Sequence, residues 1–217
     1  MFNMNYFTEF EFKIPKQERS KKTIDDIERA IEILAKKITN LKDITTRDIS
    51  ERSGYALGTL YHHFNNQEDL FVYLFLIRRQ RAYQDVIEVM KKHPSDQPLS
   101  VLVAGVIDCF MEQLSRPNRK HLLFTMRQLL KRSKNPELIN KQADVLIPYW
   151  MDANKRDKTN TILKYSEKEL GLRFRAIQTI IRSPFFESDE MAGSSEHREE
   201  AINLAIQLLS TPPPSIK

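Results

Sequence analysis

Apolar residues recur along this chain at three- and four-residue intervals, and no stretch sustains the strict alternation of a half-buried strand. The pattern predicts an all-α fold. A first helix over about Ser20 to Ile38 gathers Ile24, Ile27, Ala30, Ile31 and Leu34 on one face. Two short helices follow between Thr45 and Phe64, then a long one from about Asn65 to Lys92, stopped by His93-Pro94. Within the long helix, Leu70 to Ile77 is apolar all round, which calls for burial on more than one side. Pro94 to Pro98 is the natural boundary between two domains. Beyond it, Leu99, Leu102, Val103, Val106, Phe110 and Leu114 predict a helix ended by Pro117, and another covers about Asn118 to Lys131. Pro136 fits the first turn of a third, running into Tyr149-Trp150 and toward Asp157. A fourth is expected over Ile162 to Arg182 with Ser183-Pro184 as its stop, and a last over about Glu196 to Leu209. The tail, PPPSIK, is not helical.

The stretch Thr45 to Leu70, TTRDISERSGYALGTLYHHFNNQEDL, carries the most local information. Thr45 with Asp48 three residues on is a capping box, and Ile49 is the first buried contact. Ser53-Gly54 ends the helix, glycine being the residue that takes a left-handed turn without strain. After the corner, Leu57, Leu60, Tyr61 and Phe64 share one face. Asn65 or Asn66 caps the next helix, with Glu68 or Asp69 against its positive end. Two short helices about a tight corner have the size of a helix-turn-helix. The second begins with small or polar residues (Ala56, Gly58, Thr59), so it can enter a DNA major groove nearly to its backbone.

This segment resembles the DNA-binding motif of TetR-type (TetR/AcrR) transcriptional regulators. The resemblance rests on Thr46, Asp48-Ile49, Gly54, Gly58-Thr59-Leu60-Tyr61, His63-Phe64 and Glu68-Asp69-Leu70 at that family's spacing. It implies roles residue by residue. Arg47 would contact guanine or grip a phosphate, and Leu57, Gly58, Thr59 and His62 would face bases. Thr46, Tyr61 and His63 would hold phosphates, although Tyr61 and His63 also fit core positions. Three departures stand out: Ala56 replaces a capping Ser or Thr, Gln67 replaces a phosphate-binding Lys, and the connection from Ala30 to Thr45 is about two residues longer than usual.

Composition adjusts this picture only slightly. At 217 residues, 41% apolar and 29% charged, the chain has the balance of a soluble globular protein. Net charge is +5, but it divides as +2 through Lys92 and +3 beyond, so it is not concentrated on the helix-turn-helix. One basic run, Lys13 to Lys22, fits either a DNA-reaching arm or a solvated lead-in to a helix. The aromatic residues of positions 1–12 fit either packing on the body or a free extension. Cys109 is alone and reads as a small core residue. No segment has the length of a membrane span or the form of a signal peptide, so a cytoplasmic location is expected. His62 and His63 diverge on a helix and cannot chelate one metal, and no phosphate loop, metal-ligand cysteine pair or nucleophile elbow occurs. Neither an enzyme activity nor a cofactor is expected.

The expectations are therefore an N-terminal arm (1–19), a three-helix DNA-binding domain (20–66) and a helical effector-binding and dimerisation domain (67–217). Such a protein would be a homodimer on a palindromic operator, most simply a repressor released by a small molecule. A helical protein–protein adaptor that kept the fold without specific DNA binding is the alternative, favoured by Gln67 and the even charge. An effector cavity would draw on Phe110, Met111, Phe124, Met126, Tyr149 and Trp150, with His121, Arg127 or Asn154 as polar handles, unless these residues simply fill the core. Dimerisation would use Leu170, Phe174, Ile177, Ile181, Ile202, Ala205, Ile206 and Leu209 on the last two helices.

Overall fold

The structure, a computed structural model, describes residues 12, 17–38, 41–115, 119–134 (side chains from Phe124), 142–187 and 189–210. All regular structure among these residues is helical. In chain order the α-helices are α1 (Glu18–Ala35), α2 (Thr46–Ser53), α3 (Leu57–His63), α4 (Gln67–Lys92), α5 (Leu99–Ser115), α6 (Arg119–Arg132), α7 (Ile147–Arg156), α8 (Glu167–Glu187) and α9 (Ser195–Ser210). Short 3-10 turns at Leu41–Asp43 and Gln142–Leu146 precede α2 and α7. The expected basic residues Lys13 and Lys16, the aromatics before Phe12, the helix start at Pro136 and the proline tail lie outside the described residues.

Two boundaries differ from the sequence reading, each for a visible reason. The fourth helix of the second half starts at Glu167 rather than Ile162. Ser166 and Glu169 form a reciprocal capping box there: Glu169 Oε2 accepts from the Ser166 amide at 2.8 Å, and the Glu169 amide donates to Ser166 Oγ at 3.3 Å. The five residues before it run outside the helix, and Asn154 Nδ2 donates to the carbonyls of Ile162 and Leu163. At its other end the helix passes through Pro184 and continues to Glu187. A proline inside a helix frees the carbonyl four residues back, here that of Ile180. His197 takes up that carbonyl with Nε2 at 3.3 Å, while its Nδ1 accepts from the Gly193 amide at 3.1 Å. The lost bond is replaced, so the helix does not stop.

Contacts divide the chain into two units, with the division inside α4 between Arg79 and Gln80. The first unit takes the residues up to Arg79 together with 117–134. Its core joins Ile24, Ile27 and Ile31 of α1 to Leu41, Ile44, Ile49, Leu60, Phe64 and the apolar start of α4. Phe64 meets Tyr73 edge-on, and Phe71 meets Phe124 of α6. Arg78 binds Glu28 at 2.6 Å and Glu32 at 2.8 Å, tying α1 to α4. Asp69, buried, pairs with Arg132.

The second unit takes residues 80–116 and 135–217. Its core includes Leu170, Phe174, Ile177, Ile181, Ala205 and Leu209, each at most 7% exposed. These six were expected at a dimer surface. They instead pack inside one chain, because they form the inward stripe where α8 and α9 meet the rest of the unit; Ile202 and Ile206 remain half-exposed. Helical spacing alone locates an apolar stripe but not whether its partner is the same chain or another.

Candidate nucleic-acid interface

Local chemistry builds the corner between α2 and α3. Thr45 Oγ1 accepts from the Asp48 amide at 3.1 Å, and Asp48 Oδ2 accepts from the Thr45 amide at 2.8 Å, closing the capping box. The Thr45 hydroxyl and amide bonds hold the Asp48 carboxyl below its ordinary value. Gly54 closes α2 with φ 76°, a left-handed conformation that a side chain would strain. Ser50 Oγ donates to the Tyr55 carbonyl at 2.6 Å, and the Tyr55 hydroxyl donates to Asp26 at 2.9 Å. The corner is thereby pinned to α1. Ala56 gives α3 no side-chain cap, and Asn66 caps α4 by accepting from the Asp69 amide at 2.8 Å.

What decides the reading of this corner is which way α3 turns its large side chains. Leu60 and Phe64 are 2% and 5% exposed, whereas Leu57 and Tyr61 stand 37% and 53% exposed. Leu57 and Tyr61 thus do not join the core face on which their spacing first placed them. Gly58 lies on the outer side with open space where a Cβ would be. Thr59 and His63 are half-buried, while Arg47 and His62 are exposed. Thr46 Oγ1 and the Tyr61 hydroxyl lie 3.2 Å apart, so two groups on different helices meet at one point of this surface. All eight residues singled out from the sequence therefore fall on two adjoining short helices. The arrangement offers hydroxyls, imidazoles, a guanidinium and one bare glycine, the donor set that phosphates and base edges accept.

Residues 40–74 match the sequence profile of "Bacterial regulatory proteins, tetR family". That segment carries the similarity to TetR-type regulators. The fold agrees along most of the chain's length. A TetR family transcription regulator from Marinobacter aquaeolei VT8 superposes with a TM-score of 0.53, at 16% identity, over 91% of this chain and 100% of its own. The fatty acid degradation regulator FadR from Bacillus halodurans gives 0.54 at 15% identity, over 90% and 97%. No curated protein matches the chain in sequence. The likeness to these solved structures is one of fold, and the family match is confined to the helix-turn-helix segment.

The second unit holds a cavity of about 30 Å³. Phe110 and Trp150 line it, as expected; Met111, Phe124, Met126 and Tyr149 do not. Phe124 lies in the first unit, beneath the Lys42 ammonium and against Phe71, and Tyr149 stacks with Lys91. Among the suggested polar handles, Asn154 is spent on the Ile162 and Leu163 carbonyls, Arg127 is exposed, and the His121 side chain lies outside the described residues. Among the lining residues that sequence reasoning missed, the one amide is Gln178. Its signal was present: one amide among Phe174, Ile177 and Ile181 on the buried stripe of α8. Cys109 is half-buried, and burial followed by Asp85, Asp108 and Glu112 pushes its thiol up, away from reactivity. Among the described residues no helix is long and apolar enough to cross a membrane, and no cluster of potential metal ligands occurs.

Proposed function

We propose that this regulator acts in the cytoplasm as a homodimeric repressor that binds a palindromic operator and leaves it when a small molecule enters its second unit. The observation that carries the reading is the outward set of Leu57, Gly58 and Tyr61 on α3, beside Arg47 and Thr46 on α2. In this reading Leu57, Gly58, Thr59 and His62 meet base edges, Arg47 meets guanine or phosphate, and Thr46, Tyr61 and His63 hold the backbone. The exposed Leu57 touches a thymine methyl, since it offers no polar atom. Residues 20–66 are the reading domain, and the effector and dimer surfaces fall within 67–217. One recognition helix per half-site needs a two-fold partner, hence the palindrome. Helix α4 is one continuous element from the DNA-binding segment into the second unit, which supports coupling between operator and effector; such coupling is reciprocal.

Selection from random oligonucleotides with the purified full chain tests this reading. An enriched inverted repeat, protected by wild-type protein, is the expected result. Enrichment of no sequence over background would overturn specific DNA binding and leave the adaptor reading, to which Gln67 and the even charge distribution point.

A further inference from the structure

Helix α3 begins without a side-chain cap, yet its first residues, Leu57 and Gly58, form the outward set of the proposed function. Another contact must fix the direction in which α3 leaves the corner. Tyr55, two residues before Leu57, is held at three atoms. Its amide donates to Ser53 Oγ at 3.4 Å, its carbonyl accepts from Ser50 Oγ at 2.6 Å, and its hydroxyl donates to Asp26 Oδ2 at 2.9 Å. The first two bonds are local and shape the turn itself. The third reaches 29 residues back, to α1. Tyr55 is half-buried and the Asp26 side chain is 27% exposed, so water competes only in part for this bond. Asp26 stands on a stretch of α1 that is itself anchored, because Glu28 and Glu32 both bind Arg78 of α4.

We infer that Tyr55 is a positioning residue for base reading: its hydroxyl bond to Asp26 holds the start of α3 at one angle to α1. The inference rests on the proposed DNA-binding function and adds a residue that sets its specificity. The Tyr55 hydroxyl is engaged by Asp26, so Tyr55 acts through α3 and need not touch DNA. Base edges are read by hydrogen bonds that fail when a donor moves by about an ångström. Phosphate contacts tolerate such a shift, since flexible side chains can follow a backbone that carries no sequence information. Loss of the anchor should therefore weaken operator binding and spare binding to unrelated DNA.

Tyr55→Phe keeps the ring and deletes only the hydroxyl. In anisotropy titrations of the full chain, well below its unfolding temperature, this variant should bind the selected operator about tenfold more weakly, the value of one lost base contact. Its affinity for a scrambled duplex should change by less than about twofold. Two substitutions at Asp26 supply a second arm. Asp26→Asn and Asp26→Leu remove the same charge, but only asparagine keeps an oxygen that accepts from Tyr55. Asp26→Asn should hold the wild-type ratio of operator to scrambled affinity, and Asp26→Leu should lose it as Tyr55→Phe does. Tyr55→Phe combined with Asp26→Leu should be no worse than either alone, because both break one bond. The inference is overturned if Tyr55→Phe lowers thermal stability but keeps the wild-type ratio, the result for a bond that only stabilises the fold. Equal ratios for Asp26→Asn and Asp26→Leu would overturn it as well, since charge alone would then account for Asp26. Circular dichroism shows which variants fold, and the Asp26 pair decides the matter even if Tyr55→Phe does not. A wild-type protein that prefers no sequence would remove the DNA-binding reading and this inference together. An unchanged ratio in the variants of a sequence-selective protein would remove this inference alone.

Discussion

Thr46 and Tyr61 are 15 residues apart in sequence and share one hydrogen bond across the α2–α3 corner. On the proposed DNA surface that pair presents two hydroxyls to one phosphate, so Tyr61→Phe removes a neutral contact and leaves the ring in place. It should weaken binding to all sequences alike and leave the salt slope nearly unchanged, because no charge is lost. Arg47→Ala should behave differently. If the guanidinium reads guanine, the loss is about 1–3 kcal/mol on the preferred operator and preference relaxes at one symmetric pair of positions. If it holds phosphate, the loss is uniform and the salt slope falls by about one unit. Anisotropy titrations on the operator and its single-base mutants at two salt concentrations separate these outcomes, and wild-type affinity in both variants would mean the corner does not meet DNA this way. The cap of the same corner yields a pH prediction. Bonding to Thr45 lowers the Asp48 carboxyl in the folded state, so its contribution to stability is present above the ordinary carboxylate value and is lost as pH falls through the lowered one. Urea melts of wild type and Asp48→Asn should therefore differ at neutral pH and converge in acid. Thr45→Ala should cost about 1 kcal/mol at neutral pH.

At the scale of elements, Pro184 and His197 show what a linear reading misses. Serine-proline is a sound stop signal on local grounds, since proline lacks the amide that the Ile180 carbonyl expects. The stop is cancelled by a donor 13 positions downstream, His197 of α9, which only tertiary structure brings near. His197 is 3% exposed and makes bonds at both ring nitrogens, so His197→Phe removes the partners of the half-buried Ile180 carbonyl and of the Gly193 amide. A loss of about 2 kcal/mol is expected in urea unfolding. Pro184→Ala restores a backbone donor for Ile180, so the same histidine change should cost roughly 1 kcal/mol less in that background. Full additivity would show that His197 does not stand in for the missing amide. The features legible in sequence were those set within four or five residues: the Thr45–Asp48 box, the glycine stop at Gly54, the Asn66 cap and the end of α4 at Lys92. The Ser166–Glu169 box was equally local and was outweighed by apolar Ile162 and Leu163 upstream of it. Leu57 and Tyr61 show the other limit. Their spacing matches Leu60 and Phe64, but a helix of seven residues has room for only one buried stripe, and packing within the first unit decides which.

At the scale of the whole molecule, the proposed dimer needs an apolar surface that meets a second copy. The stripe first assigned to that role is consumed inside the chain, which moves the proposed interface around α8. Leu172 is 66% exposed, the most exposed large apolar side chain among the described residues. It heads a four-residue ladder with the half-buried Ala176 and Ile180, and α9 adds the half-exposed Ile202 and Ile206. Val101, 47% exposed on α5, has no such continuation: the same face runs on through Gly105 to Asp108 and Glu112. A two-fold axis through α8 and α9 would bury Leu172 twice, and each fully buried leucine is worth about 1.5–3 kcal/mol. Leu172→Glu should thus raise the dimer dissociation constant by roughly a hundredfold or more, the carboxylate adding its own desolvation cost. Because the side chain is outside the core, secondary structure at low temperature should not change. Val101→Glu serves as the control and should leave assembly as it is. Sedimentation equilibrium over micromolar concentrations reads the constant, and anisotropy on full and half operators reads the consequence: the Leu172 variant should lose its preference for the full site and keep its weak affinity for the half. A Leu172 variant that remains dimeric, or a wild-type protein that is monomeric both with and without DNA, would place the two-fold axis elsewhere or remove it.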